Sequence, residues 1–356
     1  MIDALKELLE SGIGRIFTAA GSAVFFDGEL IFHKVVGKPE PESLKDVNAD
    51  PNSLFDLASV TKIFTTTALL RVFYSHGISI DISVSSILPE FLRNSKGAER
   101  GLRKKITFRH LLTHSSGLPS WVPYYSKFEG KEIVNAVLSQ KLVYEPGEKV
   151  LYSDLGFMIL GWALERVTGK SLNVIIQQEV LSPFGLDNSG FGPFKCGRSV
   201  ATEYCMWRKR RVCGEVHDEN AYALGGAAGH AGLFSTVLDV AKLGLVWLRS
   251  LMGLESLGVP RKIVKEAVSL KKQFQNARRG IGWALWSPTS PARALGKRTF
   301  GHTGFTGTSL YIDPDKKLVV SLLTNRVYFG RDPALILLFR VKFHQLVNDL
   351  TKFPNF

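Results

Sequence analysis

Apolar positions recur in two different rhythms along the chain, and the rhythm changes twice. Residues 15–36, RIFTAAGSAVFFDGELIFHKVV, read as two β-type runs around Asp27-Gly28, a dipeptide suited to a tight hairpin turn. A strongly apolar run begins near Ser59. After it, every position from Ile63 to Leu70 is apolar or threonine, which predicts a helix with no polar face that runs through a core. Helical periodicity then dominates residues 76–185, as in FMILGWALERVTG, which Gly169 closes. From about residue 281 the period returns to two. IGWALW, RTFGHTG, TGTSLYIDP and KLVVSLLTN follow one another with short Gly, Pro and Asp turns, the pattern of antiparallel strands. A final helix is expected over about 331–349, and the opening MIDALKELLESG reads as a short amphipathic helix closed by Gly12.

Sheet-forming pieces at both ends around a helical middle predict an α+β fold: an antiparallel sheet flanked by helices, formed from both chain ends, with an inserted all-helical region. The expected boundaries are 1–75 and 270–356 for the sheet domain and 76–269 for the mainly helical one. A cleft between two such parts is a natural place for a site.

Composition narrows the function classes. With 356 residues, 45% hydrophobic and 22% charged, the chain has an ordinary globular balance and ample volume for a core. The first residues lack the basic head and long apolar centre of a signal peptide, so a cytoplasmic location is expected. No run approaches the roughly 18 apolar residues of a membrane span. The net charge of +13 gathers in RKRR (208–211) and RKK (103–105), but no aromatic residues interleave these runs, which read as solvated surface. Nucleic acid is therefore not an expected partner. Three cysteines are too few, and odd in number, for a disulfide framework. His217, Asp218, Glu219 and His230 can be weighed as metal ligands with Cys196, Cys205 and Cys213. The cysteine gaps of eight and seven residues fit no common zinc spacing, so neither metal nor cofactor is expected.

The apolar helix carries one anomaly. Lys62 follows Ser59 by three residues, on the same helical face, within reach of the serine oxygen. Serine is a poor nucleophile until a base takes its proton, and a lysine desolvated at an apolar helix end can be such a base if its pKa falls. The Ser59 N–H near the helix start would face a developing oxyanion. Ser-x-x-Lys by itself also suits a capping serine and a snorkelling lysine, so partners elsewhere must decide. Tyr152 stands in a loop before a helix that Ser153 or Asp154 would cap, and His302 lies on a strand followed by Thr303 and Gly304. A tyrosine phenolate held by His302 and Lys62 can accept and return the serine proton, a glycine-lined strand edge can dock substrate, and the Phe305 N–H would be a second oxyanion donor. His110, His114, Ser115 and Ser116 suggest a triad, but no Gly-x-Ser-x-Gly elbow surrounds them, and they read as a helix end and turn whose histidines satisfy backbone groups.

SVTK (59–62), YSD (152–154) and HTG (302–304) resemble the Ser-x-x-Lys, Tyr-x-Asn and Lys-Thr-Gly signatures of the serine β-lactamase and penicillin-binding superfamily, in its class C branch. ITFRHLLTHSSGLP, YSDLGFMILGWALERVTGKSL and GGAAGHAGLFSTVLDVAKL are similar to stretches of that branch, so the resemblance spans roughly residues 15–330. It implies a β-lactamase/transpeptidase-like fold, with Ser59 acylated, Lys62 its base partner and Tyr152 the proton shuttle. Asp154 stands where the motif has Asn, and His302 where it has Lys, which puts efficient β-lactam hydrolysis in doubt. His-Thr-Gly forms resemble the esterase and peptidase members. The expected function is a metal-free serine hydrolase acting on esters, small amides or D-amino-acid peptides. The alternatives are a β-lactamase or DD-carboxypeptidase, or a non-catalytic scaffold of the same fold. Residues 202–226 are similar to a run of carboxypeptidase-like relatives expected to border the cleft, with His217 as a cleft residue.

Overall fold

The computed structural model describes residues 2–44 and 46–352; Met1, Lys45 and residues 353–356 of the expected sheet-forming ends lie outside the described residues. The chain opens with helix α1 (Ile2–Ser11), then strands β1 (Ala19–Phe26) and β2 (Glu29–Gly37). Asp27 and Gly28, at φ 49° and 91°, make the turn between them. Both central residues of such a two-residue turn need positive φ, which Asp and Gly tolerate best.

Six more strands come from the other end of the chain: β3 (Lys272–Phe274), β4 (Ala277–Arg279), β5 (Ala284–Leu285), β6 (Phe300–Thr303), β7 (Ser309–Asp313) and β8 (Leu318–Thr324). The eight form one sheet in the order β2-β1-β8-β7-β6-β5-β4-β3. Every pairing is antiparallel, and the two chain ends meet where β1 pairs with β8, Ala23 opposite Ser321. The strands therefore begin earlier than the period-2 rhythm at residue 281 indicated. β3 and β4 are three residues each, too short to print an alternation.

Helices cover both faces of this sheet. On one side α1 and the last helix, Ala334–Leu350, pack Leu5, Leu9, Phe339 and Phe343 against Val24, Val320 and Leu322. On the other, the apolar helix α2 (Thr61–Ser75), α3 (Asp154–Thr168) and α4 (Val237–Met252) join a larger core with Phe64, Phe157, Trp247 and Leu323. Cover on both faces explains why β8 is buried at every position rather than at alternate ones. Threonines of α2 tie the helix to its surroundings: Thr67 Oγ1 donates to Ile63 O and accepts from Trp247 Nε1, and Thr65 Oγ1 donates to Gly229 O, while Thr66 Oγ1 has no partner among the described residues. Ser153 caps α3 by accepting from the Gly156 N–H, and Gly169 closes it at φ 69°.

No helix among the described residues is long and apolar enough to cross a membrane. Cys196 and Cys213 form a disulfide, against the expectation drawn from an odd count. A bond needs only two cysteines in reach, here with Cα atoms 5.6 Å apart, and Cys205 is left free and buried.

Candidate active site

Ser59 lies on a short 3₁₀ turn, Ala58–Val60, that leads directly into α2, rather than inside the α-helix itself. The turn is held in an unusual shape: Ala58 has φ 45°, a left-handed conformation that costs a residue with a side chain about 1–2 kcal/mol. Its neighbours impose it. The buried carboxylate of Asp56 accepts from the Ala58 N–H at 2.8 Å and from the His217 N–H at 2.6 Å. Thr306 and Thr308 donate from their hydroxyls to the carbonyls of Asp56 and Leu57, fastening the turn to the end of β6 and the start of β7. Gly304 permits this approach, since a Cβ there would stand 2.4 Å from Leu57 O and 2.1 Å from Thr308 Oγ1. Asp56→Ala orphans two buried N–H groups. It is expected to cost about 2–4 kcal/mol, read as a fall of several degrees in the thermal unfolding midpoint. An unchanged midpoint would remove Asp56 from this account.

Lys62 is fully buried in the first turn of α2. Its Nζ donates to Ser59 Oγ at 2.9 Å and to His230 O at 3.0 Å, and lies 2.7 Å from Asp154 Oδ1. Burial pushes the Lys62 pKa down, but Asp154 and Tyr152 push it up, and the balance lies above the ordinary lysine value. Tyr152 is pushed up chiefly by burial, which the neighbouring ammonium only partly offsets. The expectation of a neutral lysine beside a phenolate is therefore corrected: at rest the site holds an ammonium and a phenol. The cause is Asp154. Read from the sequence as a substrate-binding residue, it lines the cavity and also pairs with the lysine, adding a negative charge where desolvation and a nearby cation were expected to lower the pKa.

Tyr152 stands just before α3, with Lys62 Nζ 5.0 Å over its ring centroid. Its buried Oη makes no well-aligned hydrogen bond to any described residue. His114 packs against it with the rings tilted by 38° and their centroids 4.5 Å apart, and accepts from the Ser153 N–H through Nδ1, the backbone-satisfying task expected of it.

His302 lies on β6, its ring centroid 5.9 Å from that of Tyr152. Nδ1 sits 2.9 Å from Thr303 O and so carries the proton, which leaves Nε2 as a buried acceptor without a partner among the described residues. Burial, with Lys62 and Arg279 adding to it, holds His302 well below the usual histidine range. The expectation that it titrates near neutral pH is corrected. It is a neutral imidazole whose environment excludes the charge.

The fixed positive charge comes instead from Arg279 on β4, which the sequence reading missed. Its Cζ lies 5.5 Å from the Tyr152 ring centroid, and its Nε has no partner among the described residues. Burial lowers its pKa, yet a guanidinium remains protonated at neutral pH.

Two cavities meet at Ser59, Tyr152 and Phe305. One, of about 470 Å³, is lined by Arg279, His302, Thr303, Gly304, Arg326 and Arg340 and is cationic. The other, of about 410 Å³, holds Asp154, His217, Asp218, Glu219, Trp121 and Arg331. Phe305 is 45% exposed between them and stacks on His217, centroids 5.6 Å apart. His217 thus borders the cleft, with Nε2 3.2 Å from Glu203 Oε1. Of the side chains weighed as metal ligands, Cys205 and Glu219 come together with Glu203, but Arg331 pairs with both carboxylates, and Asp218 pairs with His230.

A serine oxygen beside a lysine, a tyrosine and a neutral imidazole, at the mouth of a cationic cavity, can support acyl transfer. The family model described as Beta-lactamase matches residues 12–341. A protein of Escherichia coli (strain K12) named "Putative D-alanyl-D-alanine carboxypeptidase" is 30% identical over 341 residues, covering 86% of this chain and 74% of that one. Among solved structures, EstCE1, a hydrolase with promiscuous acyltransferase activity, superposes with a TM-score of 0.76 at 21% identity, covering 95% of this chain and 98% of that one. The octameric penicillin-binding protein homologue from Pyrococcus abyssi gives 0.74 at 23% identity, covering 97% and 77%.

Proposed function

The chain belongs to the beta-lactamase family of serine hydrolases, and we propose that it cleaves small peptides ending in a D-amino acid with a free carboxylate, accepting esters of small acids as less demanding substrates. The signatures at Ser59, Tyr152 and His302 favour its class C branch. The observation that carries the peptide reading is Arg279, which meets no carboxylate among the described residues and lines the cavity that also holds Ser59 and His302. A terminal carboxylate there would place the preceding peptide carbonyl near Ser59 Oγ.

In this reading Ser59 Oγ attacks that carbonyl and its proton passes to the Lys62–Tyr152 pair, which has first lost one proton. The N–H groups of Ser59 and Phe305 receive the oxyanion; the Phe305 N–H makes no hydrogen bond to any described residue. As the C–N bond breaks, the leaving amine takes the proton back through Tyr152 Oη, and water then releases the acyl group. Thr303 and Gly304 offer the strand edge along which an extended substrate would lie. A β-lactam is expected to acylate Ser59 and to leave slowly, because Asp154, the carboxylate nearest Lys62, is engaged with that ammonium.

The pH dependence follows from the direction of the shifts. Competence requires one proton fewer than the resting ammonium and phenol, and both groups lie above their ordinary values. The rate kcat/KM therefore rises toward alkaline pH, with no inflection from His302 near neutrality. A flat profile between about pH 5 and pH 9 would contradict this. In Asp154→Asn the negative charge beside Lys62 is gone, so its pKa falls. The rising limb then moves to lower pH, and ester turnover at pH 7 is expected to increase by about three- to tenfold. A limb that stays in place would show that Asp154 does not control the base.

The direct test is intact-mass spectrometry after exposure to a D-Ala-D-Ala peptide, a short-chain p-nitrophenyl ester and a β-lactam. A transient adduct with turnover of the peptide and ester, and a persistent or absent β-lactam adduct, is the expected result. Ester turnover without peptide turnover would make the chain an esterase, and no adduct with any of the three would favour the scaffold.

A further inference from the structure

A cavity larger than either of the two at Ser59 lies elsewhere. It has about 640 Å³, within the range of roughly 300–1,000 Å³ typical of small-molecule sites, and sits where α4 and a short helix, Arg261–Ala267, meet the outer strands of the sheet. Its lining combines apolar residues, Leu251, Met252, Val268, Leu285 and Trp286, with cations, Arg261, Lys265, Arg278, Lys297 and Arg298, and holds no aspartate or glutamate. Arg298 pairs with Asp315 at 2.7 Å. The other four cations meet no carboxylate among the described residues.

Two further features point inward. Thr299 is 2% exposed, lines the cavity, and its Oγ1 has no partner among the described residues, an unfavourable state for a buried hydroxyl unless a ligand fills it. Arg278 is held against the wall by donating from Nη1 to Trp286 O at 3.3 Å, while its buried Nε is likewise unpartnered. Arg261 is fixed in the same manner through Nε to Leu251 O at 2.8 Å. Four cations without a carboxylate partner among the described residues, two of them hydrogen-bonded to backbone carbonyls and three of them exposed to solvent, thus line the cavity with a buried hydroxyl and apolar side chains. A group carrying two negative charges and several acceptor oxygens fits it better than a single carboxylate.

We infer that this cavity binds an organic phosphate, a phosphate ester with an apolar body. The phosphate oxygens accept from Lys265, Arg278, Lys297 and the Thr299 hydroxyl, and the body lies against Leu251, Leu285 and Trp286. The site is separate from the catalytic one, although the same strands build both. Neighbouring residues of a strand point to opposite faces, so Arg278 and Leu285 line this cavity while Arg279 and Ala284 line the one that holds Ser59.

The probe is hexyl phosphate, titrated calorimetrically into the full chain. Saturable binding at one molecule per chain is expected, weakened about tenfold or more in Lys265→Glu/Lys297→Glu and in Arg278→Gln. Thermal unfolding reports whether each variant is folded, and either one alone suffices. Inorganic phosphate and hexanol are each expected to bind at least about tenfold more weakly, since each offers half of the match. Sedimentation with phosphatidic acid vesicles separates the sources. Binding that hexyl phosphate competes away assigns the site to a lipid headgroup, and binding of hexyl phosphate alone assigns it to a free ester. No saturable binding of either up to millimolar concentration, equal affinity in the folded variants, or inorganic phosphate binding as tightly as hexyl phosphate would overturn the proposal.

Discussion

In Ser59→Ala, acyl transfer is expected to disappear: kcat/KM falls by about 10⁴-fold or more on every ester and peptide, and no covalent adduct forms. The substitution removes one atom from a half-buried position and leaves the backbone conformation allowed. What it removes is the acceptor of one Lys62 hydrogen bond. The ammonium keeps His230 O at 3.0 Å and Asp154 at 2.7 Å, so the buried charge is not stranded. The unfolding midpoint should therefore stay close to that of the parent chain. This combination distinguishes a nucleophile from a capping residue, whose loss would lower stability by about 0.5–2 kcal/mol and spare turnover. Intact-mass spectrometry with a p-nitrophenyl ester, run beside a thermal melt, reads both. An adduct that persists in Ser59→Ala would place the acylated group elsewhere.

Residue types and their order along the chain carried much of this site. Ser59 and Lys62, Tyr152, and His302 come from three separate stretches, and the fold brings them to one cavity mouth. The sheet built from both chain ends was also readable, because Asp27-Gly28 and the alternating strands near the C-terminus are local signals. Protonation states were not readable. They depend on a 2.7 Å contact between Lys62 and Asp154, residues 92 positions apart in the chain, and on the burial of His302 at 3% exposure. Desolvation could be foreseen from the apolar run around Lys62, but the carboxylate that outweighs it could not. Arg279 escaped for a different reason. It lies in a three-residue strand with no apolar rhythm, beside a second arginine that faces another cavity, so nothing in the sequence singled it out. The Cys196–Cys213 pair was passed over because an odd count of cysteines speaks against a framework, not against one bond.

The charge at Arg279 gives the sharpest separation between substrate classes. Arg279→Gln is expected to lower kcat/KM for a peptide ending in D-Ala by about 10²- to 10³-fold, while a neutral p-nitrophenyl ester changes by less than about threefold. The reasoning is differential. An ester with no carboxylate makes no use of the guanidinium, whereas a peptide carboxylate would lose a charge-assisted partner in a cavity whose remaining arginines each already donate to two backbone carbonyls. Arg340 Nη2 donates to Gly304 O and Thr308 O, and Arg326 donates to Phe305 O and Arg331 O. Gln is polar and uncharged but shorter than Arg, and a packing defect left beside Tyr152 would depress both substrates together. Arg279→Lys should recover part of the peptide rate, because it restores the charge without the two-pronged geometry. If peptide and ester fall equally in Arg279→Gln, the arginine acts through Tyr152, holding its ring or its proton rather than the substrate. The pH profile would then shift along with the rate. If only the peptide falls, the cationic cavity is the carboxylate subsite and the second cavity, beyond Ser59 and bordered by Asp154, His217 and Trp121, is left to receive the acyl portion.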